Sequence, residues 1–547
     1  MKNVKVILTG LAVLAMCFSC SEEDFLTVDN PNETTTNQFW QNSSHAKSAI
    51  MATYSALQSP NMMGELGMSR RTLMADLAYP RGYRRADDLF QLYSWNSNTE
   101  TVTQMWNELY TGIFRANQVL AYVPDVPMEE EDKNIILGEA HFLRALFYFW
   151  LTISYNEGDV PHITEVPTSP DEIYNEITSR EVVYDTIYSD LSKARILLPE
   201  TWDNQNLGRA TWGSAAALQG KIHLYEEDWG MAVTYLDSVI NSGLYSLIDD
   251  PANNFNVVGE HNMESIFEVG FSAAVREGTT PRWYGQFDTP IGSEATARAA
   301  QWAAVGFGPS IVQPHGLLGE LLRLDTLDPA NQINRDRSFS IRYEASIGAR
   351  IDSLPFFDGY MMDAGWHRND FGLAWRKYIN HNLESEDTEN YRSGINERVI
   401  RLADVYLMAA EAIVENNGAV TPLALEYLNK IRRRAGVVEK ELSDFPTAQS
   451  FIDYLIWYER PRELVAEGFG IRWHDLRRRG LIEEALRRIA ENEYLNWNND
   501  RRGIKSTNQE WEQRRLDNFT ADRRYWPIPS SELTSNPFLN NSNEGNN

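Results

Sequence analysis

The densest run of ionisable side chains lies in the C-terminal part of the 547-residue chain. It reads Glu459-Arg460-Pro461-Arg462-Glu463, passes through Glu467-Gly468, and closes with Arg472-Trp473-His474-Asp475-Leu476-Arg477-Arg478. On a helix, Arg460, Glu463 and Glu467 fall near one face, at i, i+3 and i+7. Two carboxylates on one face are the equipment of glycoside hydrolysis. Each acid here has arginines within a turn, however, and a neighbouring guanidinium holds a carboxylate ionised instead of keeping it protonated as a general acid. The pattern favours a structural ion-pair network of Arg460, Glu463, Glu467, Arg472 and Asp475. No catalytic residue is assigned.

Other routes to catalysis have less support. Gly213 to Lys221 (GSAAALQGK) separates its glycines by six residues instead of the four of a phosphate loop, and Ile222 stands where Ser or Thr would bind magnesium. The run reads as helix. No GxSxG or GxGxxG occurs. The nine histidines are scattered, without HxH or HExxH. The two cysteines, Cys17 and Cys20, both sit at the N-terminus, so the body offers no disulfide framework, zinc cluster or thiol nucleophile. No cofactor and no metal site are expected; a structural calcium is compatible with so acidic a chain, but no residues place it.

Aromatic residues are abundant, with 16 Trp, 25 Tyr and 22 Phe. Many fall in residues 271–395, among Gly, Pro and polar turns. Trp283 and Tyr284 are flanked by Arg282 and Gln286, and Trp302 follows Gln301. The earlier loop Asp76 to Asp88 sets Tyr79 and Tyr83 among Arg81, Arg84 and Arg85. Sugar rings lay their apolar C–H faces on aromatic planes, while their hydroxyls need polar partners close by. Most such rings would be core packing under long loops. Trp283, Tyr284, Trp302, Tyr83 and Arg81 are the candidate ligand-binding residues, chosen by position.

These side chains must be held by the elements around them. Helical spacing of apolar residues marks Ser43 to Leu57, Val102 to Tyr122, Asn134 to Tyr155 and Arg180 to Leu198. An internal repeat follows. Gly220 precedes Ala232, Leu236 and Val239 by 12, 16 and 19 residues, and Ala412 precedes Ala424, Leu428 and Ile431 at the same offsets. Small residues let paired helices approach and apolar ones fill the groove, an arrangement similar to the tetratricopeptide repeat. Residues 271–395 lack long helical patterns, and so long a stretch in a compact domain often carries function. Residues 396–480 return to helix. The division is a leader (1–19), a helical region (20–270), the loop-rich aromatic region (271–395) and a C-terminal region (396–547). No linker isolates a separate unit, so residues 20–547 read as one interlocked domain.

Residues 1–19 read as a signal peptide, with Lys2 and Lys5 before an apolar stretch too short to span a bilayer. Cys17-Phe18-Ser19-Cys20 resembles a bacterial lipobox, which makes Cys20 the lipidation site. Acyl chains would anchor the protein to a membrane, each buried methylene contributing about 0.8 kcal/mol. Loss of Lys2 and Lys5 would take the net charge from −27 to −29. So acidic a surface repels phosphate backbones, which argues against nucleic acid as a partner.

Taken together, these residues resemble the SusD/RagB family of surface glycan-binding lipoproteins. Ser21-Glu22-Glu23-Asp24 resembles the acidic surface-export signal of Bacteroidetes-type lipoproteins. The specific parts that follow are Phe25-Leu26, Asn30-Pro31 and Phe39-Trp40, then Trp106 to Asn117 (WNELYTGIFRAN) and Glu139 to Trp150 (EAHFLRALFYFW). Arg401 to Ala412 (RLADVYLMAAEA), Leu428 to Gly436 (LNKIRRRAG), Glu459 to Arg477 and Tyr525 to Pro537 (YWPIPSSELTSNP) complete the order. Ala403-Asp404 stands where the family more often has Ala-Glu. The resemblance implies a mainly α fold, about four tetratricopeptide-like helix pairs packed against a loop-rich half that carries the ligand site. It implies an outer-membrane, cell-surface lipoprotein that captures oligosaccharide or polysaccharide and passes it, uncleaved, to a SusC-like TonB-dependent transporter. It places the charged motif in the framework. Peptide capture by the same kind of uptake system and a surface glycoside hydrolase are the alternative readings.

Overall fold

The computed structural model describes residues 39–81, 89–273, 295–304, 308–349, 352, 355–357, 360–361, 371–379, 393–497, 501–502 and 506–540. The first half is helical: α1 (Ser43–Ser55), α2 (Glu65–Met74), α3 (Glu100–Tyr122), α4 (Glu130–Thr152), α5 (Arg180–Leu197), α6 (Trp212–Tyr225) and α7 (Trp229–Ile240). The side chain of Asn42 caps α1 by accepting from the N–H groups of Ser44 and His45. α4 begins four residues before the expected Asn134, because Glu130, Glu131 and Asp132 suit the positive end of a helix. It is long and apolar enough to cross a membrane by length and composition, yet 83% of its apolar window is buried inside the protein. It packs on α1, α3 and α5 as a core helix.

α6 and α7 form the first expected repeat. A Cβ built on Gly220 would lie 2.7 Å from Leu236 Cγ, so the glycine is what lets the helices close. Ala232, Leu236 and Val239 are fully buried in the seam. Helices are then short: α8 (Arg298–Trp302), α9 (Gly316–Arg323) and α10 (Ile341–Ser346). They lengthen again in α11 (Leu402–Asn417) and α12 (Pro422–Ala435), whose Ala412, Ala424, Leu428 and Ile431 bury the equivalent seam. α7 packs on α11. The second hairpin thus continues the stack that the first began, and residues 241–401 are an excursion from it. The Tyr427 hydroxyl donates to Asp237 at 2.9 Å and fastens the joint.

The excursion is tied down by short antiparallel ladders. β1 (Ala78–Pro80) pairs with β3 (Val312–Pro314), β2 (Ser265–Val269) with β6 (Glu397–Arg401), and β4 (Ile347–Ala349) with β5 (Leu373–Trp375). The C-terminal part adds α13 (Ala448–Tyr454), a π-helical turn (Leu455–Glu459), α14 (Arg460–Leu464), α15 (Ile471–Arg478), α16 (Ile482–Glu491) and α17 (Ser506–Asn518). Pro461 has no N–H to give to a carbonyl in the preceding turn, and the helix widens just before it. Arg472 on α15 donates to the Asp76 carboxylate from Nε and Nη2 at 2.8 and 2.6 Å, across 396 residues of sequence. One apolar cluster runs from Ala46 to Leu539.

Candidate functional site

Arg401, at the end of β6, is the hub of a buried charge network. It donates to Glu264 at 2.6 Å, to Glu463 at 2.8 Å and to Glu467 at 2.5 Å. Lys377 donates to Glu467 at 2.6 Å, and Arg434 reaches Glu264 and Glu463. Arg342 holds Glu459 at 2.6 Å and Asp325. Arg460 pairs with Asp475 at 2.6 Å and with Asp404 at 3.0 Å. Asp404, the position that departs from the family pattern, is also met by Lys221 at 3.1 Å. Lys221 is therefore an internal counter-charge on a helix, not a phosphate ligand.

Glu463 and Glu467 do not share a helix face as their spacing implies. α14 stops at Leu464, Val465 is extended, and Ala466 adopts φ +62°. The carbonyls that would have continued the helix are taken by cations instead. Lys377 donates to the carbonyls of Glu463 and Val465 at 2.9 and 3.3 Å, and Arg298 donates to that of Ala466 at 2.6 Å. The two carboxylates meet at Arg401 because the chain turns there.

Burial alone would raise the Glu463 carboxyl, but Arg434, Arg401 and Arg342 outweigh it and hold it down at about 2. Burial is likewise overcome at Glu459 by Arg342 and Arg432, and at Glu411 by Arg478 and Arg479, so both stay below the usual carboxylate range. These acids are held as anions, which suits a scaffold and not a proton donor. The partners Arg401, Lys377, Glu264, Arg342 and Asp325 were not anticipated from sequence. The only local signal was Arg401 itself, a cation standing directly before an apolar helix. Among the described residues, no group of three or more His, Cys, Asp or Glu is arranged to hold a metal ion.

The loop-rich region contributes Arg298, Asp325, Arg342 and Lys377 to this buried network. Arg298 on α8 is ion-paired with Glu397 of β6, and its guanidinium lies 4.3 Å from the Trp302 ring and 3.8 Å from the Tyr378 ring. Trp302, expected to meet ligand, is 1% exposed. Its Nε1–H donates to the Ser69 hydroxyl at 2.8 Å, and its ring packs on Trp375 with centroids 5.4 Å apart. It is a core residue that anchors α8 to α2, and the flanking Gln301 that made it look like a site residue is buried with it.

Arg81 is half-buried at the end of the β1–β3 ladder. Its N–H donates to the Ile311 carbonyl at 2.9 Å and its guanidinium to that of Pro309 at 2.6 Å. Below it, Tyr79 meets Phe371 and His315 edge-on, with centroids 5.4 and 6.2 Å apart. Burial and Arg515 push His315 down to about 3, so it is neutral and caps α9 by accepting the Leu317 N–H at 3.1 Å. Tyr83, Trp283, Tyr284 and the lipidation candidate Cys20 lie outside the described residues.

Comparison with known proteins gives a consistent result. The profile described as "SusD family" matches residues 263–545, and one described as "Starch-binding associating with outer membrane" matches residues 24–224. A SusD-like protein of Formosa agariphila is 28% identical over all of this chain and 99% of its own length. Among solved structures, a SusD superfamily protein from Bacteroides vulgatus is similar with a TM-score of 0.73, at 23% identity over 91% of this chain and 98% of that one. A laminarin-binding SusD-like protein is similar with a TM-score of 0.68, at 26% identity over 91% of this chain and 100% of that one.

Proposed function

The chain belongs to the SusD family, and from that premise we propose that it is a cell-surface lipoprotein that captures glycan and hands it, uncleaved, to a SusC-like TonB-dependent transporter. The observation that carries the glycan reading is the likeness over nearly the whole chain to a protein that binds laminarin. Laminarin and related neutral glucans are accordingly the first ligands to try. The buried acids support binding without hydrolysis, since arginines keep Glu459 and Glu463 ionised. Cys20 is the proposed lipid attachment point, followed by the acidic run that would direct surface display. Arg81, Tyr83, Trp283 and Tyr284 are the residues proposed to meet the ligand.

Affinity electrophoresis of the chain from Ser21 onward, through gels cast with laminarin and with other polysaccharides, tests the reading. Retardation by one glycan, with no reducing ends released, is the expected result. A folded protein retarded by no glycan but binding peptides would overturn it.

A further inference from the structure

A second place on the molecule is built to hold a ring. The loop between α5 and α6, the segment after α7 and strand β2 enclose a cleft of ≈ 240 Å³, lined by Trp202, Leu207, Thr211, Tyr245, His261 and Met263 among others. None of these residues lies in the 271–395 region.

Trp202 is the informative residue. It is half-buried, yet it belongs to neither of the apolar clusters formed by the described residues. It is nevertheless fixed. Its Nε1–H donates to the Ala210 carbonyl at 2.9 Å, and the Arg209 guanidinium covers one face at 4.1 Å from the ring centroid. Arg209 is itself clamped by two 2.7 Å bonds to the buried Glu139 carboxylate. Asp203 accepts from the N–H groups of Gln205 and Asn206, and Gly208 adopts φ +89° where a Cβ would press on His261. Trp202 and the Arg209 that covers it both line the cleft. An indole held rigid, outside the core and at a cleft, is preorganised for a ligand.

The polar lining narrows the ligand. The Thr211 and Tyr245 hydroxyls lie 3.2 Å apart. One of their two hydrogens is used between them, which leaves the other to donate. Arg209 is neutralised by Glu139, and His261 is paired with Glu268 at 2.8 Å. Glu200 at the rim adds an acceptor and disfavours anions. Leu207 and Met263, 44% and 58% exposed, supply an apolar lip. At ≈ 240 Å³ the cleft lies just below the roughly 300–1,000 Å³ of drug-sized sites, a size suited to one ring.

We propose that this cleft is a second carbohydrate subsite, taking one neutral hexopyranose ring beside Trp202. The proposal rests on the glycan-binding reading for its ligand class. The test is fluorine NMR on the chain from Ser21 onward, labelled with 5-fluorotryptophan, with the Trp202 resonance identified by its loss in Trp202→Phe. Glucose, laminaribiose and the acyclic polyol mannitol are titrated, and the same protein is run through gels cast with laminarin and with other polysaccharides. The expected result is a saturable shift of the Trp202 resonance with the two sugars and none with mannitol. No shift with either sugar, or an equal shift with mannitol, overturns the subsite. Gel retardation that persists alongside that failure leaves the main reading intact. A Trp202 shift without retardation by any polysaccharide keeps the subsite and sinks the loop-rich face as the principal site.

Discussion

Trp302 holds its place through a hydrogen bond to Ser69, a ring contact with Trp375 and the guanidinium of Arg298. Trp302→Ala opens a cavity there and is expected to cost about 3–5 kcal/mol in denaturant unfolding. Retardation by glycan at permissive temperature should be unchanged; a selective loss of binding at full stability would mean that the ring meets ligand after all. The carboxylates around Arg401 make a second residue-scale prediction. Glu463 is held at about 2 in the folded protein against an ordinary 4.5, so the folded form binds its proton less well than the unfolded form. Its contribution is present above pH 4.5 and is lost as pH falls towards 2. Urea midpoints measured from pH 6 down to pH 3 should fall. In Glu463→Gln the slope should be shallower from an already lower starting point, because removing one partner leaves buried arginines uncompensated, at about 3–5 kcal/mol. A flat profile in the parent protein would contradict the assignment.

At the scale of elements, the helical stack rests on seams whose register is written locally. Gly220 is tolerated inside α6 because a larger residue would collide with Leu236. Gly220→Leu is expected to cost about 1–3 kcal/mol by overpacking, read as a lowered melting temperature by circular dichroism. The same substitution at exposed Gly418, where nothing lies within 4 Å of the built Cβ, tests backbone strain alone. The seams were legible in the sequence because a 12-, 16- and 19-residue offset reports which side chains face across one hairpin. The four long N-terminal helices were legible from their apolar period, with shifts only at the ends, whereas the break after Leu464 and the strand Glu397–Arg401 were not. The charge network was half legible. Arginines near Glu463 forecast an ion pair, but Glu264, Lys377 and Asp325 come from distant elements, and no local period encodes that meeting. Trp302 was expected at the site and is buried, while Trp202, which the sequence did not single out, borders a cleft. A polar residue precedes each indole in sequence, Gln301 and Thr201, and only the packing around them separates the core residue from the one at a cleft.

The whole molecule carries its charge unevenly. The chain has 77 acidic against 50 basic side chains, and among the described residues the buried acids of the Arg401 and Arg342 networks are matched by basic partners. An acidic surface raises the work of bringing up a polyanion and does little to a neutral polymer. Salt screens the first effect, over a Debye length of about 8 Å at physiological ionic strength, and leaves stacking and hydrogen bonding to the sugar almost untouched. Retardation in laminarin gels should therefore be the same at low and at high sodium chloride. A sulfated or uronate-rich glycan should be excluded at low salt and gain at most weak retardation as salt is raised. The opposite trend, strong binding of a polyanion that salt abolishes, would mean that a cationic patch around Arg81 governs recognition, and the neutral-glucan reading would give way to an acidic one.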